Sequence, residues 1–120
     1  MKLDGLHVLL VEDEIIIGFD LESMVMEQGA STRLASSLQD AEEAVTQERF
    51  DAAILDVNLH GLQSYPVADR LSDQGCPFIF ATGYGSTTHP KRHKTVPTVG
   101  KPYHVAAMLD ALAKAMEAEV

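Results

Sequence analysis

Tryptophan is absent from these 120 residues, cysteine occurs once, and Lys plus Arg number 9 against 18 Asp plus Glu. Each shortage excludes something. A lone thiol, Cys76, leaves no partner for an internal disulfide, so the fold rests on no covalent staple and the residue reads as a small, partly buried hydrophobe. The formal charge of −9 repels a phosphate backbone and disfavours nucleic acid as a partner. No apolar run approaches a membrane span. The opening MKLDGLHVLLVEDE has a short apolar stretch that runs into three acids and shows no small-residue cleavage site. It does not read as a signal peptide, and the expected location is the cytoplasm.

What is present is a globular composition, 46% hydrophobic and 22% charged with no low-complexity tract. A chain of this length forms one domain, expected over 1–120, and buries roughly two-thirds of its unfolded surface. Short apolar runs alternate with segments of helical period. His7–Val11, Ser31–Ala35, Ala52–Asp56, Phe78–Ala81 and Val96–Gly100 read as strands. Helices are expected over Ile15–Gln28, from Ser37 or Gln39 to about Arg49, over Tyr65–Gln74 and over Tyr103–Glu119. In the first helix Ile16, Phe19, Leu21, Met24 and Val25 are expected on the apolar face, and Gly29 supplies the stop. Met24, Met26, Met108 and Met116 read as core, and Asn58–Ser64 as a loop. From Ser86 to Pro97 the period fails, which predicts a loop or one helical turn of low local stability. The cluster Lys91, Arg92, Lys94 reads as solvated loop charge, and His60, His89 and His93 as exposed loop residues. Strand–helix alternation of this kind implies a doubly wound, five-stranded parallel sheet whose fourth helix is short or absent.

In such a sheet every strand ends on one edge, where ligands bind. The run AAILDVN delivers a lone carboxylate, Asp56, to that edge. Taken alone, Asp56 also fits a turn cap. The same edge, however, collects Glu12 and Asp13 after the first strand, Thr82 after the fourth and Lys101 after the fifth. Carboxylates, a hydroxyl and an ammonium together suit a hard dication such as Mg²⁺ and a phosphoryl group.

The stretches LLVEDE, ILDVNLHG, FATGYG and GKP resemble the receiver domains of two-component response regulators, the CheY-like family, along essentially the whole chain. CheY is itself the standard example of a flavodoxin-like fold with strand order 2-1-3-4-5, and the resemblance implies that order here. It further implies that Asp56 is the phosphoacceptor, that Asp13 binds Mg²⁺ directly with the Asn58 backbone carbonyl, and that Glu12 supports the metal through water. Thr82 and Lys101 would contact the phosphoryl group, Gly83 would leave room for its approach, and Asn58 and Tyr84 would tune hydrolysis. The Lys101–Pro102 bond is expected to be cis. The implied partners are a histidine kinase or phosphotransfer protein and an unidentified output protein, with the chain acting alone as a switch or a phosphate sink.

Two departures stand out. Thr98 occupies the position, three before the lysine, where many receivers carry an aromatic, which makes Tyr84 the expected moving group. FATGYG resembles an atypical receiver subgroup nicknamed after Phe-Ala-Thr and linked in some cases to bacterial stress signalling. The competing reading is a Mg²⁺-dependent aspartate-nucleophile phosphohydrolase, which is disfavoured because that class places its nucleophile after the first strand, usually as Asp-x-Asp. A switch is not expected to turn over substrate as an enzyme.

Overall fold

In a computed structural model, residues 2–83 and 89–118 are described. Five parallel strands form one sheet: β1 (His7–Val11), β2 (Ser31–Ala35), β3 (Ala52–Asp56), β6 (Phe78–Thr82) and β7 (Thr98–Gly100). Their order is β2-β1-β3-β6-β7, the order that the resemblance implied, in the doubly wound arrangement that the alternation implied. Among the described residues, four α-helices accompany them: α1 (Ile15–Glu27), α2 (Leu38–Gln47), α3 (Tyr65–Asp73) and α4 (Val105–Ala118). Between β3 and α3, Asn58–Leu59 (β4) and Leu62–Gln63 (β5) pair as a small antiparallel hairpin. Both of its turn residues are left-handed, His60 at φ 50° and Gly61 at φ 85°, as a tight hairpin requires. The stretch read as a loop is therefore ordered by its own backbone pairing.

Side-chain parity divides the core. Leu9, Val11, Ala53, Leu55, Phe78 and Phe80 pack on one side with residues of α2 and α3. Val8, Leu10, Ala52, Ile54, Ile79 and Ala81 pack on the other with residues of α1 and α4. Burial on both faces explains why these strands read as continuous apolar runs. Each fully buried Leu or Ile contributes about 1.5–3 kcal/mol relative to exposure.

Several local readings need correction. Helix α1 packs through Gly18, Leu21 and Val25, whereas Ile16 is 74% and Phe19 54% exposed, and Met26 is exposed too. Asp20, Ser23 and Glu27 lie opposite this face, but Ile16 and Phe19 share their outer side, so the apolar residues alone do not mark the inner face. Gly18 does: a Cβ there would lie 3.2 Å from Leu34 Cδ2, so this side alone permits the close approach to β2.

The histidines after β6 are also placed differently from their expected loop exposure. His93, in the 3₁₀ turn Lys91–His93, is 2% exposed. Its ring stacks on Tyr65 and meets Phe78 and Phe80 edge-on, while Nε2 lies 2.7 Å from Asp69 Oδ1. His89 lies over Phe80 with ring centroids 4.4 Å apart and bonds Tyr65 Oη and Thr98 Oγ1, each at 2.9 Å. Arg92 forks onto Asp69 at 2.6 and 3.0 Å, so part of the basic cluster is spent on fastening this turn to α3. The fifth strand is shorter than expected, beginning at Thr98.

Candidate functional site

Parity also assembles the polar edge. Glu12 continues the Val8–Leu10 side of β1, Asp56 the Ala52–Ile54 side of β3, and Lys101 the Val99 side of β7. All three therefore meet over the face that α1 and α4 cover. Lys101 Nζ donates to Asp56 Oδ2 at 2.9 Å and to Glu12 Oε1 and Oε2 at 3.1 and 3.2 Å. Its own amide donates to the Thr82 carbonyl at 2.9 Å, which ties the end of β7 to the end of β6. The Lys101–Pro102 peptide is cis.

Asp56 is 3% exposed. Burial pushes its carboxyl up to about 7; Lys101 pulls the other way, and the neighbouring Glu12 charge adds to the rise. Burial opposes the charge on Lys101 as well, but Asp56 and Glu12 together hold its ammonium above the ordinary lysine value. Asp13 behaves oppositely to Asp56. Although burial works against its charge, hydrogen bonds from the His60 amide and within the acid cluster, with the His60 ring nearby, hold its carboxyl below the usual range. The amide contact, His60 N to Asp13 Oδ2 at 2.9 Å, is supplied by the hairpin turn. The Asn58 amide similarly donates to Asp56 Oδ1 at 3.3 Å.

These groups surround an open cleft of about 820 Å³ lined by Asp13, Asp56, Asn58, His60, Thr82 and Lys101, among others. Gly83 also lines it, and a Cβ at that position would meet Lys101 Cε only at 3.8 Å. Among the described residues, crowding therefore does not demand a glycine there. Glu12 sits behind the cleft, with Tyr103 Oη donating to its Oε2 at 3.0 Å. Tyr84 lies outside the described residues. The sequence reading missed Tyr103 and the His60 amide. The only signal for Tyr103 was a phenol, the last aromatic of the chain, two residues beyond Lys101.

One carboxylate oxygen from each of Glu12, Asp13 and Asp56 can be chosen so that all lie within 4.8 Å of one another. An all-oxygen set of this kind fits a hard dication, and Mg²⁺ needs only one or two such ligands beside its waters. Asp13 and Asp56 both line the cleft and are the residues that would hold it.

The profile of the response regulator receiver domain matches residues 8–116. The chain belongs to that family. Receiver domains bind Mg²⁺ in an acidic pocket and take phosphoryl groups from a kinase or a phosphotransfer protein, and the cluster at the ends of β1 and β3 is this chain's acidic pocket. The chain is 26% identical over 112 residues to sporulation initiation phosphotransferase F of Bacillus subtilis (strain 168), covering 89% of this chain and 90% of that one. The solution structure of SdrG from Sphingomonas melonis Fr1 is 34% identical, with a TM-score of 0.73 over 99% of this chain and 98% of that one. The PhyR stress response regulator is 26% identical with a TM-score of 0.78, covering 96% of this chain and 46% of that chain.

Proposed function

We propose that this receiver is a Mg²⁺-dependent phosphorylation switch whose acceptor is Asp56. The observation that carries the reading is a buried carboxylate at the floor of an open cleft, with an ammonium 2.9 Å from one oxygen and Asp13 beside it. In the transfer, an Asp56 oxygen attacks phosphorus, the P–N bond of a phosphohistidine breaks, and an acyl phosphate forms as the imidazole leaves with the electron pair. Catalysis of phosphoryl transfer is mostly positioning and charge neutralisation. Bound Mg²⁺ would supply neutralisation of the phosphoryl oxygens. Lys101 supplies a second positive charge, and its contact with Asp56 favours the ionised carboxylate against the burial that opposes it. The Thr82 hydroxyl is the group assigned to a phosphoryl oxygen, and the Asn58 carbonyl is assigned to the metal.

The phosphodonor is proposed to dock over α1 and the β4–β5 hairpin. Ile17, Gly61 and Gln63 line the cleft, and the exposed Ile15, Ile16, Phe19 and Leu62 lie on the same two elements. The FATGYG stretch, with the likeness to the PhyR stress response regulator, supports a role in bacterial stress signalling. Intact mass after incubation with candidate histidine kinases and phosphotransfer proteins, or with acetyl phosphate, tests the switch. One phosphoryl group should appear in Mg²⁺, none in EDTA, and none on Asp56→Asn. Sustained release of phosphate from added phosphomonoesters would overturn the reading.

A further inference from the structure

Glu12 is 1% exposed, and its two oxygens are met from three directions. Oε1 accepts from Lys101 Nζ and, at 3.2 Å, from the Glu14 amide; Oε2 accepts from Lys101 Nζ and from Tyr103 Oη at 3.0 Å. The same Lys101 ammonium reaches Asp56 Oδ2. Two buried carboxylates thus compete for one cation, and Tyr103 contributes a neutral donor to one of them only. Its ring is 6% exposed and belongs to the core over the α1 and α4 face. Burial and the Glu12 charge push its phenol far up, so it remains a donor at every working pH.

We propose that Tyr103 is a positioning residue for the phosphoacceptor site: by donating to Glu12 it satisfies part of that carboxylate's charge and leaves Lys101 available to Asp56 and to a phosphoryl group on it. The inference rests on the reading of Asp56 as acceptor. It also gives a reason for a Glu at position 12. An Asp would withdraw the carboxylate by up to about 1.5 Å, beyond hydrogen-bond reach of the hydroxyl. Without the phenolic proton, a buried acceptor is left short of a donor. Glu12 would then draw harder on the cation already bonded to it, at the expense of Asp56.

Tyr103→Phe removes the hydroxyl and keeps the packed ring. It is expected to slow phosphorylation by acetyl phosphate in saturating Mg²⁺ about threefold to tenfold, the size of one hydrogen bond. In unphosphorylated protein it should also move the NMR resonances of the Lys101 ε-methylene and the Asp56 carboxyl carbon. Glu12→Asp breaks the same contact from the other side, but it also draws the carboxylate away from Lys101, so it serves as the background in which the Tyr103 contact is absent. In the Glu12→Asp background a further Tyr103→Phe should change neither readout, because the contact is already gone. Equal effects of Tyr103→Phe in both backgrounds would assign them to ring packing and overturn the proposal, as would unchanged Lys101 and Asp56 resonances in the single variant. The resonances are read before any phosphorylation. They therefore decide the proposal even if Asp56 accepts no phosphoryl group, a result that would count against the switch alone.

Discussion

Asp56 has a carboxyl pushed up to about 7 by burial, and this sets a measurable sign. In metal-free buffer the unfolded chain gives up this proton near the ordinary aspartate value of about 3.9, the folded protein only near 7. Between those values the folded state binds the extra proton, so Asp56 lowers stability as pH rises through the window. Asp56→Asn is therefore expected to melt higher than wild type at pH 8, by an amount on the order of a few kcal/mol. The gap should close as pH falls to about 4. Equal melting temperatures at pH 8 in EDTA would show that Asp56 carries no such strain.

Two elements carry their own consequences. On α1 the exposed Ile16 and Phe19 belong to neither core cluster, so Ile16→Asp and Phe19→Asp should change stability by no more than about 0.5 kcal/mol. Both should cut phosphotransfer from a protein donor at least tenfold while leaving acetyl phosphate as effective as before; equal rates from the protein donor would remove α1 from the docking face. Residues 89–98 are pinned by His89. Tyr65 Oη donates to Nδ1, Nε2–H faces Thr98 Oγ1, and the Thr98 hydroxyl turns to the Val96 carbonyl at 3.3 Å, a chain that uses a neutral ring. Burial, with His93 alongside, holds the His89 pKa below its ordinary value. The unfolded chain therefore takes up the proton first, and stability falls as pH drops from about 6.5 toward the lower folded value. His89→Phe should flatten that decline. His89→Ala should speed amide exchange over 91–98 by about tenfold or more, the worth of two lost hydrogen bonds. Unaltered exchange there would show that His89 pins nothing.

At the scale of the whole molecule, a formal charge of −9 and a three-acid cluster at one sheet edge make divalent cations a stabilising ligand. Mg²⁺ at a hundred times its dissociation constant should add about 2.7 kcal/mol to unfolding. Asp13→Asn should shrink that gain, and identical melting in Mg²⁺ and EDTA would exclude a bound metal. The strands, their parallel pairing and the residues at their ends were legible in the chain because local causes write them: apolar runs buried on both faces, Gly29 as a stop, polar residues where each run ends. Sequence could also name Glu12, Asp13, Asp56, Thr82 and Lys101 together, since a doubly wound sheet sends all those ends to one edge. Which side of α1 turns inward was not legible from its apolar residues, because Ile16 and Phe19 share the outer side with Asp20, Ser23 and Glu27, and the close approach is made where Gly18 meets Leu34. Nor was the burial of His93, which depends on α3 offering Asp69 and Tyr65 some two dozen residues away. The division of Lys101 between Glu12 and Asp56, with Tyr103 behind them, was likewise decided only in three dimensions. A hydrogen bond between positions 12 and 103 has no local trace in either segment, and exists only because β1 and the start of α4 are brought together by the sheet between them.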